Sequence, residues 1–209
     1  MSDKDPHAAH EPSPGGLATP EHASEYGSAV LTGARVRLRA AEPADLERLA
    51  SWYRDAEFTV LQSETFQIAS QAETVEQMKK WFSNDGVRGG GNFAVESLDS
   101  GEVVGGVNIW GGRLPERAGT LAIQIGGPFV GKGFGTDALR VAVDFAFREL
   151  GLNRLQLTVA AFNSRGIKAY QKAGFVVEGR RRQATFHDGR FHDQLLMAIL
   201  FEEWAGSRG

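Results

Sequence analysis

The chain has 209 residues, 42% of them apolar, so it exceeds one typical domain of about 150 residues and carries enough apolar side chain for one continuous core. Its 26 acidic and 23 basic residues leave a formal net charge of -3, which removes the electrostatic case for wrapping a nucleic acid or coating an anionic membrane. With no cysteine, disulfides, thiolate metal sites and a cysteine nucleophile are excluded, and with no long apolar run or basic leader a soluble, cytoplasmic protein is expected.

Residues 1–28 hold Pro6, Pro12, Pro14 and Pro20 and have too little apolar surface to offset the entropy of ordering. A disordered tail is expected there, ahead of a folded domain over 29–209. His7, His10 and His22 fall at irregular spacing and predict no metal site. Val36 and Leu38, interleaved with Arg35, Arg37 and Arg39, alternate as a half-buried strand does. Pro43 and Asp45 open a helix whose Leu46, Leu49, Trp52 and Tyr53 share a face, and a second helix is predicted over 73–82. The tryptophans of these helices read as core walls.

From Asn92 the pattern becomes extended. Residues 93–96 and 103–110 flank the turn signal Asp99-Ser100-Gly101 and predict a hairpin, and 120–125 add a third strand. A glycine-rich stretch follows and opens into a helix predicted over 136–150. Leu155, Leu157 and Val159 alternate as a strand, 163–173 reads as a short helix, and strands over 175–182 and 191–200 close the domain. The apolar run 195–201 predicts a strand covered on both faces. This order of elements gives an α/β or α+β fold with a mixed sheet flanked by helices.

Gly131, Gly133 and Gly135 alternate between a strand and a helix. Without Cβ atoms, successive backbone N–H groups there can turn toward an anion, and the helix N-terminus adds its positive end. The stretch is either a pyrophosphate cradle or a tight structural turn. The nucleotide-binding spacing G-x-x-x-x-G-K-[ST] and the dinucleotide fingerprint G-x-G-x-x-G are both absent. About thirty residues on, Asn163 stands at a helix start and Tyr170 seven residues later, two turns away on the same side. By themselves they read equally as an N-cap and a core aromatic.

Taken together, Val130-Gly131-Lys132-Gly133-Phe134-Gly135-Thr136 and Asn163-x-Arg165 through Tyr170 to Gly174-Phe175 resemble two motifs of the GNAT superfamily of N-acetyltransferases. These are its Q/R-x-x-G-x-G/A pyrophosphate loop and its N-x-R…Y-x-x-x-G-F segment. The resemblance spans about residues 31–204, and the opening and closing strands look like the RimJ/RimL-type branch. It implies the GNAT fold, a mixed central sheet of about seven strands flanked by helices, and an enzyme that moves an acetyl group from acetyl-CoA, its cosubstrate, directly to a primary amine without a metal. That amine would be a peptide N-terminus or a small amine such as a polyamine, amino acid or antibiotic. Neither nucleic acid nor membrane is an expected partner, and a homodimer follows from family habit alone.

By the same resemblance, the backbone around Ile123 and Ile125 holds the pantetheine arm, Gly131, Lys132, Gly133, Gly135 and Thr136 form the pyrophosphate site, Asn163 bonds the cofactor arm, and Tyr170 protonates the departing thiolate. Two positions depart from the family pattern: Thr120 stands where many members carry a glutamate base, and Val130 where Gln or Arg is common. The base matters more than the acid, because removing a proton from an amine of pKa about 10.4 costs roughly 4 to 5 kcal/mol at pH 7, whereas a thiolate of pKa about 8.5 leaves tolerably unaided. With Thr120 unable to serve, a water chain or one of Glu178, His187, Asp188, His192 and Asp193 must take the proton. His187-Asp188-Gly189 reads as a hairpin turn. His192 and Asp193 point to opposite faces of a strand, so one of them alone can face a cleft, and Asp193 is the preferred candidate. Arg180, Arg181 and Arg182 read as a solvated strand edge. A catalytically idle acyl-CoA-binding module of the same fold is the alternative function.

Overall fold

The computed structural model describes Leu17 and residues 19–62, 68–85 and 87–207. Residues 1–16 and Ala18 of the expected tail, with His7 and His10, lie outside this set. The remainder of that segment is largely helical. Pro20–Ala29 forms helix α1, opened by Thr19, whose hydroxyl accepts from the His22 N–H at 3.3 Å, and by proline in the first turn. Tyr26 of α1 donates its hydroxyl proton to Glu149, so this helix is held by the domain although none of its residues is buried.

Strand β1 (Val36–Arg39) leads to α2 (Pro43–Tyr53), α3 (Ala56–Gln62) and α4 (Gln71–Trp81), then to the meander β2 (Gly91–Ser97), β3 (Val103–Trp110) and β4 (Ala118–Ile125). Helix α5 (Phe134–Arg148), β5 (Arg154–Ala160), α6 (Ser164–Lys172), β6 (Val176–His187), β7 (Arg190–Leu200) and α7 (Phe201–Gly206) complete the chain. Helices α3 and α7 have no counterpart in the sequence reading, being too short to show a periodic face. Strand β6 runs five residues past its expected end, through register shifts between Val177 and Gly179 and between Arg181 and Thr185, while Arg180 and Arg181 stay paired with β7. The apolar end of β7 is not covered on both faces throughout, since Leu196 and Leu200 are each 36% exposed.

The seven strands form one sheet in the order β1-β2-β3-β4-β5-β7-β6. Every neighbouring pair is antiparallel except β4 and β5, which run parallel because α5 carries the chain back between them. One face packs against α5 through Leu139, Val143 and Phe147, which meet Val95, Val107, Ile109 and Leu155. The other face carries α2 and α4, with Leu46, Leu49, Met78 and Phe82 over Ala94 and Val103. Arg39 of β1 bridges Asp45 of α2 and Glu96 of β2, which ties the second layer to the sheet and holds the Glu96 carboxyl below its usual range.

The α5 end nearest the glycines is anchored by Asp137. Its carboxylate accepts from the backbone N–H groups of Ala34 (3.3 Å), Arg35 (2.7 Å) and Val36 (3.1 Å), binding α5 to the start of β1. Any side chain at Gly33 would collide with this carboxylate, since a Cβ there would lie 2.6 Å from Asp137 Oδ2. Replacement of Asp137 by alanine should remove about 2–3 kcal/mol, because three donors lose a charged acceptor, and should lower Tm by roughly 5–10 °C in thermal unfolding followed by circular dichroism.

Candidate active site

Strands β4 and β5 pair at Ala118–Arg154, Gly119–Leu155 and Thr120–Gln156 and then part, although β4 continues to Ile125 and β5 to Ala160. Beyond Thr120, the β4 edge that faces β5 has no strand partner, while its other edge stays paired to β3 through Ile125. A sheet interior that leaves strand backbone unpaired must satisfy it some other way, and here it faces a cleft of about 480 Å³.

That cleft collects most of the residues singled out by sequence. Ile123, Ile125, Gly131, Gly133, Gly135, Thr136, Asn163 and Tyr170 all line it. Gly131 and Gly133 have φ of 80° and 90°, the left-handed region that disfavours side chains, and Gly133 is the N-cap residue of α5. Helix α5 therefore starts at Phe134, two residues earlier than its periodicity suggested, and the N–H groups of Phe134, Gly135 and Thr136 lie in its first turn, where no intrahelical acceptor exists. The positive end of a 15-residue helix thus opens on the cleft.

Lys132 is the exception in the loop. It is exposed, does not line the cleft, and its ammonium lies 5.8 Å from the Phe129 ring centroid. Three basic side chains that the sequence reading left without a role, Arg165, Lys168 and Lys172, do line the cleft from α6. Their spacing of three and then four residues is the signal that places them on one helix face.

Asn163 is both an N-cap and a cleft residue. Its Oδ1 accepts from the Gly166 N–H at 2.9 Å, and Nδ2 donates to the Leu61 carbonyl at 3.3 Å. Tyr170 packs edge-on against Phe175 with centroids 6.0 Å apart, and its hydroxyl has no partner among the described residues. Burial pushes its pKa up to about 12, so the phenol is a proton-bearing group at any physiological pH.

The candidate bases are not brought to this place. Asp193 accepts from the Gln183 N–H and from Arg180, each at 2.9 Å, which holds its carboxyl below the usual range, and it lines no cavity near β4. Glu178 is paired with Arg154 and likewise held low. Asp188 and Gly189, with φ of 51° and 69°, make the expected hairpin turn. His192 Nε2 lies 3.1 Å from the His187 carbonyl, and both imidazoles pack on Phe162, away from the cleft lining.

A second cavity, of about 440 Å³, was not legible in the sequence. It opens on the α2/α4 face, is lined by Tyr53, Trp81, Trp110, Asn92, Asn108 and Gln124 with Phe82 and Ala122, and also touches Ile123. The two cavities thus approach the same residue from opposite faces of the sheet, just past the point where β4 and β5 separate.

The family model described as an acetyltransferase (GNAT) domain matches residues 35–176. A putative ribosomal N-acetyltransferase of Bacillus subtilis is 26% identical over 180 residues, covering 83% of this chain and 95% of its own. The spermidine N(1)-acetyltransferase of Escherichia coli is 32% identical over 112 residues, or 54% of this chain and 59% of its own. The crystal structure of spermidine N-acetyltransferase from Vibrio cholerae in complex with CoA and spermine superposes with a TM-score of 0.71 at 25% identity, covering 81% of this chain and 98% of that one. No helix among the described residues is long and apolar enough to cross a membrane. On its domain match, its parted sheet and its relatives, the chain belongs to the GNAT family of N-acetyltransferases.

Proposed function

We propose that the protein transfers the acetyl group of acetyl-CoA directly to a primary amine, with the two substrates entering from opposite faces of the sheet and meeting at Ile123. The observation that carries this reading is the pair of cavities sharing Ile123 at the mouth of the β4–β5 gap. In the cleft, the N–H groups of Gly131, Gly133, Gly135 and Thr136 hold the pyrophosphate, and Arg165, Lys168 and Lys172 add positive charge for the remaining phosphate. The unpaired backbone of Ile123 to Ile125 takes the amides of the pantetheine arm as a missing strand would. Asn163 spends Oδ1 on its own helix and one Nδ2 hydrogen on Leu61, so it offers the arm a single remaining donor.

At the reacting centre the amine lone pair forms the new N–C bond, the C–S bond breaks, and Tyr170 gives its hydroxyl proton to the departing sulfur. No aspartate, glutamate or histidine among the described residues lines either cavity. Thr120, on the same face as Ala122, supplies a hydroxyl and no base. We therefore assign removal of the amine proton to water reaching the pocket, with the phenol reprotonated from solvent. The RimJ/RimL-type descent belongs to this proposal and is supported by the likeness to the ribosomal relative over most of the chain. A cytoplasmic setting, a homodimer and the division into a tail and one acetyltransferase domain belong to it as well.

Three outcomes follow for acetyl-CoA turnover read as thiol release and for binding read by calorimetry. Gly131→Ala forces a methyl group onto left-handed backbone facing the cleft, and should cost about 1–2 kcal/mol of stability while weakening acetyl-CoA binding about tenfold. Tyr170→Phe should slow kcat about 10- to 100-fold with acetyl-CoA affinity within about twofold of the parent, the loss being modest because the thiolate leaves tolerably unaided; unaltered turnover would remove Tyr170 from the reaction. Because Tyr170 stays protonated and the base is water, kcat/KM for an amine of pKa about 10 should rise close to tenfold per unit from about pH 7 to pH 9. An inflection between about pH 6 and 7.5 would instead reveal a titrating side chain.

A further inference from the structure

The pocket on the α2/α4 face carries information about the amine itself. Its walls are aromatic. Trp81, at the end of α4, and Trp110, at the end of β3, are 38% and 49% exposed, and Tyr53 meets Trp81 edge-on with centroids 5.1 Å apart. Large rings left this open around a concave surface usually await something apolar. The polar groups are amides, and their hydrogen bonds fix which atom each presents. Asn108 Nδ2 donates both hydrogens, to the Trp81 carbonyl at 2.8 Å and to Asn92 Oδ1 at 2.9 Å, so the opposite amide orientation would set oxygen against two oxygens. Asn92 Nδ2 is in turn spent on the Ser83 carbonyl at 2.7 Å. Gln124 Nε2 donates to the Leu49 carbonyl at 3.3 Å. Asn108 Oδ1 and Gln124 Oε1 are left as acceptors with no donor among the described residues, beside Ile123 where the reaction is placed.

Two carbonyl oxygens set among three aromatic side chains suit one ammonium or amine nitrogen. They do not suit a second charge. Among the described residues no carboxylate lines this pocket to receive the distal ammonium of a polyamine, and no arginine or lysine lines it to receive the carboxylate of an amino acid. Desolvating either without a partner opposes binding. We infer that the acceptor is a primary monoamine carried on an aromatic or bulky apolar body, an arylalkylamine in chemical class, in contrast to the spermidine of its named relatives. This rests on the placement of the acceptor in this pocket proposed above.

The test compares phenethylamine and tryptamine with spermidine and phenylalanine as acceptors for the full chain, and measures phenethylamine binding to the CoA-loaded protein by calorimetry. The two arylalkylamines should show kcat/KM at least about tenfold above the others. Trp110→Ala should raise their KM about tenfold or more while leaving acetyl-CoA affinity unchanged. Gln124→Glu, which adds a carboxylate at the same place, should shrink the preference over spermidine by about fivefold or more. Spermidine preferred by the parent protein, or Trp110→Ala without effect on KM, would overturn the inference while leaving the acetyltransferase reading intact. Phenethylamine bound at Trp110 but never acetylated would support the pocket assignment and overturn the reading on which turnover depends. Neither binding nor turnover of arylalkylamines, with acetyl-CoA still bound, would overturn the inference alone.

Discussion

Beyond Thr120 and Gln156 the two parallel strands at the centre of the sheet cease to exchange hydrogen bonds, and the molecule is organised around that interruption. Unpaired strand backbone inside a domain is costly unless something bonds to it. The interruption is held open from both sides: α5 and α6 wall the cleft on one face, and the ends of α2 and α4 wall the pocket on the other. Asp137 fixes the start of α5 to the chain entering β1, so the glycine loop is set by contacts from opposite ends of the sequence.

Charge is distributed unequally across this gap. The α5 N-terminus, the left-handed glycines and the basic face of α6 give the cleft positive character, whereas the opposite pocket is neutral and aromatic among the described residues. Under the proposed reading, such a division gives an anionic cosubstrate and an amine separate sides of the sheet. Among the described residues, no carboxylate or imidazole lines that pocket. In the proposed reaction deprotonation of the ammonium falls to solvent, and burial keeps the Tyr170 hydroxyl protonated.

The period-two and period-3.6 patterns located β1 to β5 and helices α2, α4, α5 and α6 to within a few residues, because each buries one face of regular spacing. They failed for α3 and α7, which are too short to repeat, for α1, whose holding contact from Tyr26 to Glu149 spans the chain, and for the length of β6, whose bulges break the alternation. The loop glycines were legible for a local reason, since left-handed backbone admits few other residues. Asp193 misled because a carboxylate on a strand next to apolar residues looks the same whether it faces a cleft or stabilises a bulge, and here it stabilises the bulge at Gln183.

The sequence by itself determined the mixed α/β architecture, the glycine turn ahead of α5 and the helix that Asn163 caps and that carries Tyr170, all of which depend on backbone preferences and periodicities within a few consecutive residues. The tertiary structure alone decided that Tyr53, Trp81 and Trp110, drawn from two helices and a strand, converge on a single pocket with Asn108 and Gln124, and that the expected bases lie elsewhere. Convergence of that kind is set by how layers stack and where two strands part, and no local spacing encodes it.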